Sequence, residues 1–330
     1  MIVQDIDGGY FHDYEIHVDY KGQLELERLL FGHNGDRKGI TLPMFPLNTD
    51  GLDVQGKNMV IERMNITNFD DAVAIKPSNT ANKYATCTEN IIVRDCNVYF
   101  GVGMSIGSVR PSDAYNCVRN IQFLNHKMYH PIKAVYVKNN PGKTTSMDPG
   151  SGGEISNITY DGFEVHEPIW FAIYIGPQQQ NQPHRDADPG CMLYPLVPCG
   201  THSLVTIKDV TVRNFKIHNA LLPPGVIRGD PANPATGINF ENVQADGWWK
   251  YLRLNYFVEN TFGVVENSSP APAFVTPNGD GFVGDDDEFQ WVQRIVGAIT
   301  GIFSGQTPRG TAAAKVISSF GSVYDFISTV

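Results

Sequence analysis

The sequence lacks long apolar runs, clusters of basic residues and, before residue 285, any convincing amphipathic helix period. Its apolar stretches are far shorter than the roughly 20 residues that a membrane-spanning helix needs, so we expect no membrane insertion. Lys and Arg form no run longer than two residues and the formal net charge is −10, so we expect no nucleic-acid surface. Because 42% of the 330 residues are hydrophobic, the chain can still bury the core of one large domain.

Cysteine is scarce, and its few positions are Cys87, Cys96, Cys117, Cys191 and Cys199. The last two bracket the loop CMLYPLVPC, which a disulfide could close, and one cysteine of the five is left over. Glycosylation sequons at Asn65, Asn157 and Asn267 suit an exported protein. The first residues, MIVQDIDGG, have neither a charged n-region nor an apolar h-region. We therefore expect an extracellular protein whose signal peptide is not present in this chain.

Short β-branched runs that begin or end with Asn, Asp or Gly recur along the chain, as in NMVIERMNITNF from Asn58, NIIVRDCNVYF from Asn90 and DVTVRNFKI from Asp209. In the first half their starts lie about thirty residues apart, a spacing typical of stacked coils. The pattern predicts an all-β fold, a right-handed parallel β-helix, in which Asn at a turn pairs with Asn one coil above. A β-sandwich is the structural alternative.

The C-terminal part differs in composition. We assign residues 1–265 to the β-helix, 266–288 to a linker and 289–330 to a short helical appendage, because FQWVQRIVGAIT has apolar residues at helical spacing. The linker contains NGDGFVGDDDE, which fits a calcium loop with Asn278, Asp280 and Asp287 as ligands. A solvated acidic turn is the alternative interpretation.

Three aspartates stand about one short coil apart in sequence. Asp50 lies in NTDG, and Asp70 and Asp71 form an adjacent pair. If a coil takes about twenty residues, Asp50 and Asp70 occupy equivalent places on neighbouring coils, roughly 4.8 Å apart, with Asp71 beside them. Crowding then raises the pKa of at least one carboxyl, which suits the acid and base of glycoside hydrolysis. Taken singly, each aspartate could equally be a turn or strand-end residue.

Four segments together resemble the consecutive motifs of glycoside hydrolase family 28, the polygalacturonase family: NTDG at 48–51, DDAVAIKPS from Asp70, GVGMSIGSV from Gly101 and VYVKNNPG from Val135. The resemblance runs from about residue 40 to about residue 265. It implies a right-handed parallel β-helix that hydrolyses α-linked galacturonan or rhamnogalacturonan with inversion, as a monomer acting on a polysaccharide, without a metal or other cofactor in the catalytic site.

The resemblance also assigns roles residue by residue. Asp70 is implied to be the general acid, and Asp50 with Asp71 is implied to hold and deprotonate the attacking water. Lys138, Tyr136 and Lys76 are the implied substrate-binding residues. Members of the family usually carry several more coils before the first motif, whereas 47 residues precede it here, so we expect N-terminal coils to be missing.

Two positions depart from the family pattern. Gly101-Val102-Gly103 lacks the histidine of Gly-His-Gly, and Tyr136-Val137-Lys138 lacks the arginine of Arg-Ile-Lys. Arg and Lys form a fork for a substrate carboxylate, so the loss favours a neutral sugar at this subsite, as in rhamnogalacturonan. The alternative is a catalytically impaired protein that only binds pectin. A pectin lyase on the same fold is less expected, because its arginine base would have to come from a residue distant from the aspartates in sequence, such as Arg228.

A later stretch, WFAIYIGPQQQ from Trp170 followed by CMLYPL, mixes aromatic and amide side chains. Such residues suit sugar contacts, but they equally suit a loop packed over the face of a β-helix.

Overall fold

The computed structural model of the chain describes residues 1–19, 49–78, 87–113, 115–140, 152–179, 198–252 and 254–275, with Cys191 and Tyr194. The chain divides into two compact units. One unit contains Met1–Val18, Phe45–Lys250 and Asn255–Phe282, and the other contains Asp19–Met44, Tyr251–Leu254 and Val283–Val330. The calcium-loop residues Asn278, Asp280 and Asp287 and the helical appendage lie outside the described residues. The domain boundaries stay a prediction.

The described residues are almost entirely β-structure, apart from a short 3₁₀ helix at Trp248–Leu252. The strands are β1 (Ile2–His12), β2 (Glu15–His17), β3 (Leu52–Glu62), β4 (Asn65–Asn68), β5 (Val73–Ile75), β6 (Cys87–Arg94), β7 (Asn97–Phe100), β8 (Met104–Val109), β9 (Asn116–Tyr129), β10 (Val135–Asn139), β11 (Gly153–His166), β12 (Ile173–Pro177), β13 (Val205–Ala220), β14 (Gly225–Arg228), β15 (Ala235–Gly247), β16 (Phe257–Glu259) and β17 (Thr261–Glu266).

Each strand pairs in parallel with a strand one coil away. In the stack that carries the site, the start of β3 pairs with β5, β5 with β8, β8 with β10, and the stack continues through β12, β14 and β16. The long strand β9 pairs with both β6 and β7, so β9, β11 and β13, which pair with one another, run through the two other stacks. The predicted parallel β-helix is thus confirmed, and the sandwich alternative is wrong because sandwich sheets pair antiparallel strands.

Strand β10 shows how the site stack is built. Val135 and Val137 alternate with Tyr136 and Lys138, so the two pairs point to opposite faces of the sheet. All four side chains are nevertheless buried. A buried lysine on the outer face must find negative partners, because an isolated ammonium is costly to remove from water.

Asparagines at the turns form a ladder along the coils, as the sequence predicted. Asn90 Nδ2 donates to Asn58 Oδ1 at 3.1 Å, Asn120 to Asn90 at 3.1 Å, and Asn157 to Asn120 at 2.8 Å. All four asparagines have φ between 52° and 58°, a region in which Asn is favoured over most other residues with a Cβ. In this ladder the side-chain amides hydrogen-bond to one another, and asparagine also tolerates the positive φ that the bend between two stacks requires.

We expect Asn120→Ala to lower the unfolding free energy by about 2 kcal/mol, since it removes the ladder hydrogen bonds and places alanine at φ 55°. Asn120→Gly loses the same bonds without the backbone strain, and Gly237 already occupies the equivalent place two coils beyond Asn157. Urea unfolding of both variants measures the difference. Equal losses in the two variants would show that the backbone conformation contributes nothing.

The cysteines form two disulfides within the described residues. The predicted Cys191–Cys199 bridge is confirmed, and a second bridge joins Cys87 of β6 to its paired residue Cys117 of β9. Cys96 is the free cysteine; it is buried, and burial raises the pKa of its thiol to about 11. Its thiolate is therefore scarce at neutral pH.

Candidate active site

The aspartates lie at the entrance to the site stack, Asp50 just before β3 and the other two just before β5. Leu52 pairs with Val73, and Gly51 N donates to Asp71 O at 2.9 Å, so this coil takes 21 residues. Extending the register aligns Asp50 with Asp71. The expected alignment of Asp50 with Asp70 is therefore wrong by one residue, because the coil is one residue longer than twenty.

Asn68, a residue that the sequence reasoning did not select, holds the turn that carries the aspartate pair. Its side chain is fully buried, and Nδ2 lies within hydrogen-bond distance of the carbonyl oxygens of Thr49 (3.1 Å), Asp70 (2.9 Å) and Asp71 (2.8 Å). One amide thus ties both aspartate-bearing segments together across the coil boundary. The offset of Asn68 from the aspartate pair could have suggested a local Asx turn, but the contact with Thr49 needs the coil register.

The three carboxylates converge: one oxygen from each of Asp50, Asp70 and Asp71 lies within 4.8 Å of the other two. Asp71 is the most buried and accepts from Lys138 Nζ (2.6 Å) through Oδ2 and from Ser105 Oγ (2.6 Å) through Oδ1. Asp70 Oδ1 accepts from the backbone N–H of Asp71 at 2.9 Å. The site therefore holds each carboxylate in a different environment.

Lys76 neutralises the more open side of the cluster. Its Nζ lies 3.4 Å from Asp50 Oδ2, 3.3 Å from Asp53 Oδ1 and 3.6 Å from Asp71 Oδ2. Burial lowers the pKa of Lys76, but the charges of Asp71, Asp53 and Asp50 outweigh burial and raise it above its ordinary value. Lys76 is thus held as a cation beside the aspartates.

Burial and the neighbouring charges move the pKa values of two aspartates in opposite directions. Burial, followed by the charge of Asp71, raises the pKa of Asp50 to about 6, although Lys76 opposes this rise. Burial would also raise the pKa of Asp71, but Lys138 and Lys76 outweigh it and bring that pKa below its ordinary value. In the ligand-free site, Asp71 therefore stays ionised in mild acid while Asp50 carries a proton.

The raised pKa of Asp50 predicts a pH-dependent stability. Between about pH 4 and pH 6 the folded chain keeps a proton on Asp50 that the unfolded chain has released, so this contribution to stability is lost as pH rises. We expect Asp50→Asn to gain up to about 3 kcal/mol relative to wild type between pH 4 and pH 6.5. Urea unfolding at the two pH values measures this change. A difference between variant and wild type that does not change with pH would contradict the assignment.

The same three carboxylates could in principle bind a cation. Here, however, Lys138 lies on Asp71 Oδ2 and Lys76 bridges Asp50, Asp53 and Asp71, so lysine ammonium groups already supply positive charge. This donor set suits proton transfer better than an oxygen cage for Ca²⁺ or Mg²⁺.

Val102 and Tyr136, the two departures from the family motifs, lie together in an apolar cluster beside the aspartates. Val102 N donates to Asp70 O at 2.7 Å, which joins the cluster to the turn that carries Asp70 and Asp71. The buried members of the cluster are Val102, Tyr136, Phe171, Tyr174, Cys191, Tyr194, Cys199 and Val226. The apolar cluster thus adjoins Asp70 through Val102, and it contains both cysteines of the Cys191–Cys199 disulfide.

Tyr136 is fully buried, its hydroxyl accepts from the N–H of Gln179 at 2.7 Å, and its ring centroid is 4.5 Å from Lys138 Nζ. Its predicted contact with substrate stays a prediction. The stretch after Trp170 packs in the same way, since Tyr174, Gln178 and Gln179 are buried. Tyr174 lies in strand β12 rather than in a loop, and a contact of this stretch with sugar stays a prediction.

The structure brings together the predicted catalytic and substrate-binding residues around Asp71: Asp50, Asp70, Lys76 and Lys138 through the carboxylates, and Tyr136 through Lys138. It adds residues that sequence reasoning missed, namely Asp53, Asn68, Ser105 and Lys133. Ser105 lies in the recognised SIGS segment and could have been found from its place on β8, level with Tyr136 of β10.

Comparisons of the sequence with a family model and with individual proteins point to the same family. The sequence model of glycosyl hydrolases family 28 matches residues 33–261. An exopolygalacturonase from Cochliobolus carbonum is 31% identical over 51% of this chain and 35% of that protein. A polygalacturonase from Ralstonia nicotianae is 28% identical over 81% of this chain and 43% of that protein. The chain thus spans well under half the length of these relatives.

Among solved structures, the chain is similar to an exopolygalacturonase from Thermotoga maritima, with a TM-score of 0.44 and 21% identity over 66% of this chain and 43% of that one. Because the family match covers more than half of its residues, the chain belongs to glycosyl hydrolases family 28.

Proposed function

We propose that this protein hydrolyses the glycosidic bonds of a pectic polysaccharide by acid/base catalysis. The observation that carries the proposal is the convergence of Asp50, Asp70 and Asp71 within 4.8 Å, with Asp71 held ionised by Lys138 and Lys76. Glycoside hydrolysis needs one carboxyl that donates a proton and another that activates water, and this site supplies different environments for the two tasks. Family membership supports the same chemistry.

In this proposal Asp70 is the general acid that protonates the leaving oxygen. Asp71, held ionised by Lys138, Lys76 and Ser105, takes a proton from water, and Asp50 orients that water by a hydrogen bond. Because Lys138 and Ser105 each bind one oxygen of Asp71, these two contacts fix the orientation of its carboxylate. Lys76 and Lys138 also offer cations to substrate carboxylates.

The expected stereochemistry is inversion, and this expectation rests on the family. Carboxyl groups of most inverting enzymes are roughly 6.5–9.5 Å apart, which leaves room for the water. The oxygens of the aspartate cluster are nearer, within 4.8 Å. The anomeric form of the first product therefore distinguishes an inverting mechanism from a retaining one.

The substrate that we propose carries a neutral sugar next to the cleavage point, as rhamnogalacturonan does. The motif positions that would hold histidine and arginine are Val102 and Tyr136, which are buried in an apolar cluster. Neither of these two positions supplies a bidentate guanidinium for a galacturonate carboxylate. The desolvation cost of placing a sugar against an apolar surface is smaller for the methyl-bearing face of a deoxy sugar than for the charged carboxylate of galacturonate.

This specificity is tested by measuring the release of new reducing ends from rhamnogalacturonan and from polygalacturonan. The two polymers are compared at equal mass and mildly acid pH. We expect the full chain to have a kcat/KM at least about tenfold higher on rhamnogalacturonan, because a missing charge-assisted contact costs about 1.5–3 kcal/mol. A higher value on polygalacturonan would overturn the neutral-sugar assignment while leaving hydrolysis intact. No new reducing ends from either polymer would overturn the hydrolase proposal itself.

A second candidate function is a binding protein for pectin that lacks catalysis, and the burial of Val102 and Tyr136 favours it. Such a protein would be retained by pectin in a pull-down, and Asp70→Asn would leave that retention unchanged. We favour the enzyme, because three acidic groups and two lysines are costly to keep in a half-buried site that performs no chemistry.

We also propose that the protein is exported and acts as a monomer. The two disulfides, Cys87–Cys117 and Cys191–Cys199, are the features that support an oxidising compartment. Within the described residues, no helix is long and apolar enough to cross a membrane.

A further inference from the structure

Lys133 is a buried lysine next to the position where the family motif has its histidine. Met104 of β8 pairs with Val135 of β10, so two residues earlier Lys133 stands level with Val102 on the next coil. Backbone bonds on both sides fix this alignment, from Ile132 N to Gly101 O (2.8 Å) and from Met104 N to Ala134 O (3.0 Å). Lys133 is therefore the next residue beyond Val102 in the column that begins with Asp50 and Asp71.

The backbone around Lys133 is pressed against the Gly-Val-Gly motif. Gly103 has φ 81°, and a Cβ at this position would lie 2.3 Å from the carbonyl oxygen of Lys133. A side chain on Gly103 would therefore push the two coils apart. The close approach keeps the Lys133 segment at a fixed distance from Val102, and hence from the Asp70 carbonyl that Val102 N contacts.

The side chain of Lys133 is held between aromatic rings. It is 4% exposed, with Nζ 4.6 Å from the ring centroid of Tyr136 and 5.9 Å from that of Tyr174. The Tyr136 ring also contacts Lys138 Nζ at 4.5 Å, and Lys138 in turn binds Asp71. The Tyr136 ring thus contacts both Lys138, which pairs with Asp71, and Lys133.

The charged and titratable groups that face Lys133 are those of the proposed catalytic site and two tyrosines: Asp70, Asp71, Lys138, Tyr136 and Tyr174. Burial and the charge of Lys138 lower the pKa of Lys133 to about 7, while Asp71 and Asp70 oppose this shift. In mild acid Lys133 is consequently a cation, and its charge interacts with both carboxylates.

We propose that Lys133 is a positioning residue for the hydrolysis proposed above, supplying a cationic group on the side of Asp70 where valine stands in place of histidine. When Asp70 gives its proton to the leaving oxygen, a negative charge forms on a carboxylate that is 7% exposed. The ammonium of Lys133 stabilises that charge and so makes Asp70 a stronger acid.

Carbon-13 NMR titration of the side-chain carboxyls tests the inference without requiring activity. The full chain is labelled at aspartate, and the Asp70 signal is assigned by its loss in Asp70→Asn. In Lys133→Met we expect the Asp70 pKa to rise by about one unit, because a nearby positive charge is gone, whereas Lys133→Arg keeps the wild-type titration. Lys133→Gln repeats the neutral substitution if methionine prevents folding, which thermal unfolding reveals.

Lys250→Met is the matched control, since it removes another lysine–aromatic contact, 5.5 Å over the Trp249 ring and outside the aspartate cluster. It should leave the Asp70 titration unchanged. In the active enzyme, Lys133→Met should also move the alkaline limb of the kcat/KM profile up by about one pH unit and lower kcat about tenfold, with rescue by Lys133→Arg. An Asp70 titration that is the same in wild type, Lys133→Met and Lys133→Arg would overturn the proposal. An inactive wild type would instead overturn the proposed hydrolysis, and the NMR titration would still decide the role of Lys133.

Discussion

Asp70→Asn should reduce kcat on a pectic polymer by about 10³-fold with little change in KM, because an amide cannot donate the proton that the leaving oxygen requires. Asparagine keeps the shape of aspartate, so its Oδ1 can still accept the bond from the N–H of residue 71. Initial rates of reducing-end release across a range of polymer concentrations measure both constants.

Asp209→Asn is a suitable control for this substitution. Asp209 has φ 54° and continues the column that Asn58, Asn90, Asn120 and Asn157 occupy, so asparagine is already the usual residue there. This control should retain wild-type kcat. A wild-type rate in Asp70→Asn would remove Asp70 from the acid role, and loss of polymer binding instead of turnover would point to a structural role.

Lys138→Met should destabilise the folded protein by about 3 kcal/mol, since it leaves the buried Asp71 carboxylate without its nearest cation. Lys76, at 3.6 Å, compensates only in part. The double variant Lys138→Met/Asp71→Asn should recover most of the loss because no unpaired charge remains. Urea unfolding of wild type, the two single variants and the double variant gives the coupling free energy.

Lys208→Met breaks a comparable but more exposed ion pair with Glu154, 3.1 Å long, and provides the control. We expect a loss below about 1 kcal/mol, the usual range for surface pairs. Equal losses in Lys138→Met and Lys208→Met, or no recovery in the double variant, would mean that the buried pair is not what stabilises the site.

Much of the fold followed from repeated local patterns. The β-branched runs and Asn-bearing turns predicted coils, and the ladder through Asn90, Asn120 and Asn157 is their direct consequence. The grouping of Asp50 with Asp70 and Asp71 also followed from coil spacing. The exact register did not, because a one-residue change in coil length shifts every alignment, and composition does not determine that length.

The residues that support the aspartates were harder to predict, because each acts across coils. Asn68 reaches Thr49, Ser105 reaches Asp71 from the next coil, and Lys133 stands beside Val102 only through the pairing of β8 with β10. In sequence, each is an ordinary polar residue at the edge of a strand. Their roles depend on pairs 19 to 34 residues apart, which only the register brings together.

Proton NMR of the polymer digest, recorded from the first minutes, tests the central claim most directly. An inverting family 28 hydrolase acting on α-linked substrate will show β-anomeric reducing-end signals first, followed by slower mutarotation to the α form. First appearance of the α anomer would contradict inversion, and an olefinic signal would identify a lyase. A spectrum without any new reducing-end signal would contradict the proposal that this protein hydrolyses a pectic polysaccharide.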